Sequence, residues 1–209
     1  MLERTFMMLT GLVFGCALAA HAQAGSDPSA RCKAVAGVQI PGFALEITRA
    51  EWHPAGKSPA QPGPAGMAPV ELPAHCRIDG MLDRRTGREG AAYGIGFALA
   101  LPDAWNGRFL QQGGGGLNGT VGMPLGAVAA GGRSALARGF AVASTDTGHR
   151  SGNGAFDAGF MQDQQAALDF AYAAVGRVAA LSKLLIAQYY GAPADRSYFT
   201  GCSTGGREG

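Results

Sequence analysis

The sequence predicts an α/β fold with a mostly parallel sheet. Short apolar runs of strand-like composition end at Pro, Gly, Asn or Asp. One long stretch repeats apolar residues at three- and four-residue steps, and strand-like and helical stretches alternate along the chain. Of the 209 residues, 47% are hydrophobic and 15% charged. That composition can bury a core, unlike the charged, apolar-poor composition of disordered chains. The formal net charge is +2 and no Lys/Arg cluster occurs, so nucleic acid or an acidic membrane finds no electrostatic footprint.

Residues 1–24 read as an export signal. Arg4 supplies the positive start, residues 6–20 form an apolar core too short to span a bilayer, and Ala22-Gln23-Ala24 offers small residues for cleavage after Ala24. Cys16 follows Val13-Phe14-Gly15 in the manner of a lipidation site, but Phe14 is bulky for that motif and the apolar run continues past the cysteine. A secreted or periplasmic protein, free of the membrane after cleavage, is the expectation. Three cysteines then remain in an oxidising compartment: Cys32, Cys76 and Cys202. Cys32 and Cys76 flank a Pro/Gly-rich stretch that a bond between them would staple. Cys202 is left over, as a buried free thiol or with a partner beyond residue 209.

Residues 25–75 form an N-terminal segment with apolar runs at 35–40 and 43–47. Five prolines between positions 54 and 69 make that patch a surface loop. Residues 76–209 carry the α/β pattern. Strands are predicted at 93–101, stopping at Pro102-Asp103, at 108–112, running into Gly113-Gly114-Gly115-Gly116, and at 140–144, ending at Thr145-Asp146-Thr147-Gly148-His149. A helix is predicted over 161–190, with a bend at Gly176 and stop signals at Gly191 and Pro193. A last short strand, 197–200, leads into Gly201-Cys202-Ser203-Thr204-Gly205-Gly206.

Gly201-x-Ser203-x-Gly205 matches a nucleophile elbow, in which a serine at a strained strand-to-helix turn needs side-chain-free neighbours two positions away on either side. With 34 glycines and nine serines in the chain, chance alone supplies roughly a quarter of such a pentapeptide. The preceding strand and the helix-compatible Arg207-Glu208 carry the assignment. The tetraglycine after a strand fits the loop that offers a backbone N–H to an oxyanion, the second donor being Thr204, the residue after the nucleophile. A phosphate-binding loop would need a following Gly-Lys-Ser/Thr, and a dinucleotide loop a helix opening at once. Leu117-Asn118-Gly119 supplies neither. A serine nucleophile also needs a base and an orienting carboxylate. In the elbow fold both follow the serine, and six residues do. His149, the histidine within the α/β pattern, fits a structural or substrate-side role better than that of base.

The stretch from Ser197 through Gly-Cys-Ser203-Thr-Gly-Gly-Arg207 to Gly209 resembles the nucleophile region of the tannase and feruloyl esterase family. The 143–149 segment, the tetraglycine after Phe109-Leu110, Ala167-Leu168-Asp169-Phe170, Lys183 and Tyr189-Tyr190-Gly191 occur in the same order there. The resemblance runs from about Cys32 to Gly209. It implies an α/β-hydrolase fold, incomplete here, that cleaves carboxylic esters of aromatic acids: gallates, hydroxycinnamates and, in a related branch, terephthalate monoesters. It further implies Ser203 as nucleophile and oxyanion donors from Thr204 and from Gly114 or Gly115. It pairs Cys32 with Cys76, and Cys202 with a cysteine beside the catalytic histidine. The catalytic Asp and His, and a lid domain with a calcium site, are implied after residue 209, with no metal site before it. On this expectation the 209 residues by themselves turn over no substrate and expose sheet edges. The reading from another class is a non-catalytic exported binding protein on a degenerate hydrolase scaffold.

Overall fold

The computed structural model describes residues 27–59, 69–127, 132–152 and 154–209; the predicted export signal lies outside them. Asp27 caps the first helix, α1 (Pro28–Ala34), by accepting from the Ser29 amide, and Pro28 opens it. Cys32 on α1 is bonded to Cys76, with 5.5 Å between their α carbons, and both are fully buried.

Six strands make the main sheet: β1 (Leu45–His53), β4 (His75–Thr86), β5 (Ala92–Pro102), β6 (Arg108–Gln112), β7 (Ala141–Thr145) and β8 (Arg196–Thr200). Their order is β1-β4-β5-β7-β6-β8. β4 and β7 are both antiparallel to β5, whereas β6 is parallel to β7 and to β8, so four of the six strands point the same way. β1 runs antiparallel to β4 along the edge. The Pro-rich patch contributes a two-residue strand, β2 (Gly56–Lys57), which pairs with β3 (Glu71–Leu72) away from the main sheet; residues 60–68 of that loop lie outside the described residues.

The sequence reading missed β1 and β4. In β4, Arg77 and Asp79 alternate with buried Cys76 and Ile78 and pair with each other at 2.7 Å, a short strand signal that went unread, and further on the register shifts between Leu82 and Arg85. In β1 the register shifts between Ile47 and Arg49, which breaks the two-residue period.

The predicted helix is present and more divided than its periodicity suggests. α2 (Gln164–Leu168) and α3 (Ala174–Tyr190) are joined by a π-helical turn, Asp169–Ala173. The irregularity is therefore this wide turn and not Gly176, which lies within α3 with open space where a Cβ would stand. Asp163 caps α2 through the Ala166 amide and pairs with both terminal nitrogens of Arg85 on β4. The Arg85 guanidinium and the Ala166 amide hold the Asp163 carboxyl well below the usual carboxylate range.

The core has two layers, as an α/β sheet requires. On one face Val178, Leu181, Leu185 and Ile186 of α3, with Cys32 of α1, pack against Ile78, Phe97, Leu99 and Leu101. On the other, Ala100, Leu110 and Val142 meet Leu125, Leu136 and Phe140. β5 shows the alternation most plainly: large residues at 97, 99 and 101 face α3, and Gly96, Ala98 and Ala100 face the thinner layer. The 27-residue helical span Gln164–Tyr190 is long and apolar enough to cross a membrane by length and composition, but its Val178, Leu181 and Leu185 are seated on the sheet.

Candidate active site

Parallel β6, β7 and β8 all end at the same side of the sheet, where ligands of such folds bind. The chain after each of those ends supplies one part of the candidate site: residues 113–118 after β6, 146–149 after β7 and the 201–205 turn after β8.

Ser203 sits between β8 and the short helix α4 (Thr204–Glu208) with φ 57° and ψ −124°, a backbone region that a side chain disfavours. It is solvent-exposed, and its hydroxyl makes no capping bond to its own helix. The Ser203 carbonyl accepts from the Gly206 and Arg207 amides at 2.9 and 3.2 Å, which closes the first turn of α4. The glycines at either side are sterically required. A Cβ on Gly201 would fall onto the Gly205 carbonyl oxygen, and one on Gly205 would stand 2.6 Å from the Gly114 carbonyl oxygen.

The tetraglycine loop lies directly against this turn. The Gly113 amide donates to the Thr200 carbonyl at 2.8 Å and the Gly205 amide to the Gly114 carbonyl at 3.1 Å, while the Thr204 hydroxyl donates to the Gly116 carbonyl. A Cβ on Gly113 would come within 2.6 Å of the Gly205 α carbon. The two predicted halves of the site, 85 or more residues apart in the chain, are therefore in backbone contact.

The amides of the loop are not equivalent. That of Gly114 donates to Glu208 Oε2 at 3.3 Å, and Asn118 Nδ2 donates to Glu208 Oε1 at 2.6 Å. Among the described residues the amides of Gly115 and Gly116 have no partner, and neither has that of Thr204 at the start of α4. Asn118 and Glu208 escaped the sequence reading because their contact spans 90 residues and leaves no local signal. Gly116 belongs to the tetraglycine that was singled out, so its signal was present.

Arg207 holds the other flank. Its guanidinium donates to the Phe170 and Ala171 carbonyls, both at 2.9 Å, and lies 4.1 Å over the Phe170 ring. The π turn is thereby fixed to the helix that follows Ser203.

His149 is 1% exposed and stacks on Phe160 with ring centroids 3.6 Å apart. Burial lowers its pKa, against the carbonyls of Thr147 and Leu117, and the ring packs in an aromatic cluster with Phe160 and Phe170. His53 and His75 stack on each other at 5.4 Å. His75 begins β4, which points the same way as β8, so this pair lies at the sheet end opposite Ser203. Asp146 is buried beneath the site, accepting from the Gly96 and Gly148 amides at 2.9 Å each. Desolvation pushes its pKa up to about 7, against those two donors. Cys202 is exposed beside Ser203 and is the free cysteine among the described residues. No three His, Cys, Asp or Glu side chains among the described residues gather as metal ligands.

The family model of tannase and feruloyl esterase matches residues 76–209. The chain is 41% identical over 175 residues to a mono(2-hydroxyethyl) terephthalate hydrolase of Piscinibacter sakaiensis, covering 81% of this chain and 28% of that protein. It is 40% identical over 109 residues to a probable feruloyl esterase B-1 of Aspergillus oryzae, covering 52% and 18%. The crystal structure of feruloyl esterase B from Aspergillus oryzae is similar with a TM-score of 0.68 and 29% identity over 88% of this chain and 34% of that one. The matched stretch spans about a third or less of each relative's length.

Proposed function

The chain belongs to the tannase and feruloyl esterase family, and we propose that it carries the nucleophile and oxyanion hole of an exported esterase acting on aromatic-acid esters. Ser203 Oγ attacks the ester carbonyl carbon while a general base takes its proton. The carbonyl oxygen, now an oxyanion, accepts from the Thr204 amide and from the tetraglycine loop. Collapse of the tetrahedral intermediate breaks the ester C–O bond and releases the alcohol, protonated by the same base. The acyl group stays on Ser203 until water removes it.

The observation that carries the reading is the exposed Ser203 hydroxyl, at φ 57°, set beside a Gly-rich loop in backbone contact with its own turn. Gly114 or Gly115 is the loop donor expected from the family resemblance. The Gly114 amide is bonded to Glu208, which supports assigning the donor to Gly115 or Gly116 in this proposal, with Gly114 contributing its lack of a side chain. The base and its carboxylate come from outside the described residues, since His149 is buried in an aromatic cluster. Aromatic acyl groups, with the hydroxycinnamates, gallates and terephthalate monoesters foremost, are the proposed substrates. The Cys32–Cys76 bond supports export, because such cross-links persist in oxidising compartments. Calcium in a lid is proposed as a further part of the complete protein, and no step above runs through it.

Labelling of the complete protein by a fluorophosphonate tests the proposal. The expected result is one covalent adduct on Ser203, absent in Ser203→Ala. A wild-type protein that takes no label, or a Ser203→Ala variant that keeps it, overturns the reading.

A further inference from the structure

Resting on that esterase reading, we propose that Glu208 is a positioning residue that sets the Gly-rich loop against the nucleophile helix. Its carboxylate stands at the last position of α4, half-buried, and reaches back across the loop. One oxygen accepts from the Gly114 amide at 3.3 Å and the other from Asn118 Nδ2 at 2.6 Å. A single side chain thus bridges the two ends of the 114–118 turn. A charged acceptor strengthens both bonds over what a neutral group would give.

Asn118 is itself immobilised. It is 4% exposed and takes a φ of 55°. Its amide donates to the Gly115 carbonyl at 2.9 Å and its carbonyl accepts from the Ser151 hydroxyl at 3.0 Å. The carboxamide fills the space beside Gly114, where a Cβ would stand 2.6 Å from its carbon. Through this anchored Asn118, Glu208 ties α4 to Ser151 in the chain that follows β7.

The consequence concerns geometry at Ser203. One oxyanion donor, the Thr204 amide, starts α4, and the other belongs to the loop. Thr204 holds the loop at Gly116 and Glu208 holds it at Gly114. The two attachments flank Gly115 and fix the loop's height over the serine. By occupying the Gly114 amide, Glu208 leaves the Gly115 and Gly116 amides as the loop's unbonded donors among the described residues. Arg207 does not share this task, since its guanidinium points to the π turn instead.

The test uses the complete protein and a phenolic ester. Glu208→Ala is expected to lower kcat about ten- to a hundred-fold while KM stays within about threefold, because the misplaced donor acts on the transition state. Inactivation by a fluorophosphonate, whose P–O oxygen occupies the same hole, slows by the same factor. Glu208→Gln keeps the reach: its carbonyl accepts from Gly114 while the Asn118 amide turns over to accept from it. Most of the rate returns. Glu208→Asp keeps the charge but is one methylene short, and stays slow. The order Gln faster than Asp decides the matter even where the alanine variant does not fold. An Asp variant as fast as Gln, equal inactivation rates for wild type and Glu208→Asp, or a change in KM alone overturns the proposal. Failure of the esterase reading is distinct, since the wild-type protein then takes no label on Ser203.

Discussion

A backbone at φ 57° and ψ −124° costs a residue with a side chain about 1–3 kcal/mol, so something has to hold Ser203 there. The Gly113–Thr200 and Gly205–Gly114 hydrogen bonds do so from the loop side, and Gly201 and Gly205 make the approach sterically possible. Asp146 works at the same scale. Its Oδ1 receives the Gly96 and Gly148 amides, and Gly96 has to be glycine because a Cβ would fall onto the carboxylate. Burial sets its pKa at about 7 in the folded protein against 3.8 ordinarily. A raised carboxyl pKa means that the folded state binds the extra proton. The contribution is complete below about pH 4 and is lost as pH rises toward 7. Asp146→Asn keeps an acceptor oxygen for both amides and removes the titration. We expect the variant to lose this fall in stability between pH 4 and 7, read from urea midpoints across that range. A parallel pH profile in both proteins contradicts the assignment.

At the scale of elements, the π turn between α2 and α3 has a partner that explains it. The wide turn presents the Phe170 and Ala171 carbonyls to Arg207, and the Val175 carbonyl accepts from Gln111 of β6 at 3.0 Å. The long helix is thereby joined both to the sheet and to the helix after Ser203. A planar guanidinium serves two carbonyls and a ring face at once, whereas an ammonium cannot. Arg207→Lys should therefore cost about 1 kcal/mol of stability, measured as a lower denaturant midpoint, with slower fluorophosphonate labelling. An unchanged midpoint and labelling rate would show the clamp to be idle.

For the whole molecule, the Cys32–Cys76 bond ties α1 to the start of β4 across a separation of 44 residues. Closing that loop is worth about 4 kcal/mol in the chain-entropy picture. Both sulfurs lie in the core between α1, α3 and the sheet, where a reductant penetrates slowly, so the double variant Cys32→Ala/Cys76→Ala is the cleaner probe. Its thermal midpoint should fall well below that of the parent. Equal midpoints would mean that packing alone holds α1. At the opposite border, β8 pairs with β6 and, among the described residues, with no other strand; Tyr198 and Phe199 on it are 41% and 37% exposed. An apolar, unpaired strand edge is a ready template for further pairing.

Local pattern alone determined the strands at β5 to β8, the long helix, the elbow and the Gly-rich loop, because period, turn residues and glycine placement are written within a few residues of one another. It also contained the Asp27-Pro28 start of α1, which went unread. Tertiary structure alone decided the rest. The extents of β1 and β4 depend on partner strands and register shifts. The Cys32–Cys76 pairing, implied by family resemblance, required the two thiols to meet. Arg207 found its carbonyls 36 and 37 residues away, and Glu208 its partners 90 and 94 away. Such contacts follow from where the sheet places each strand end, and no short-range periodicity encodes that position.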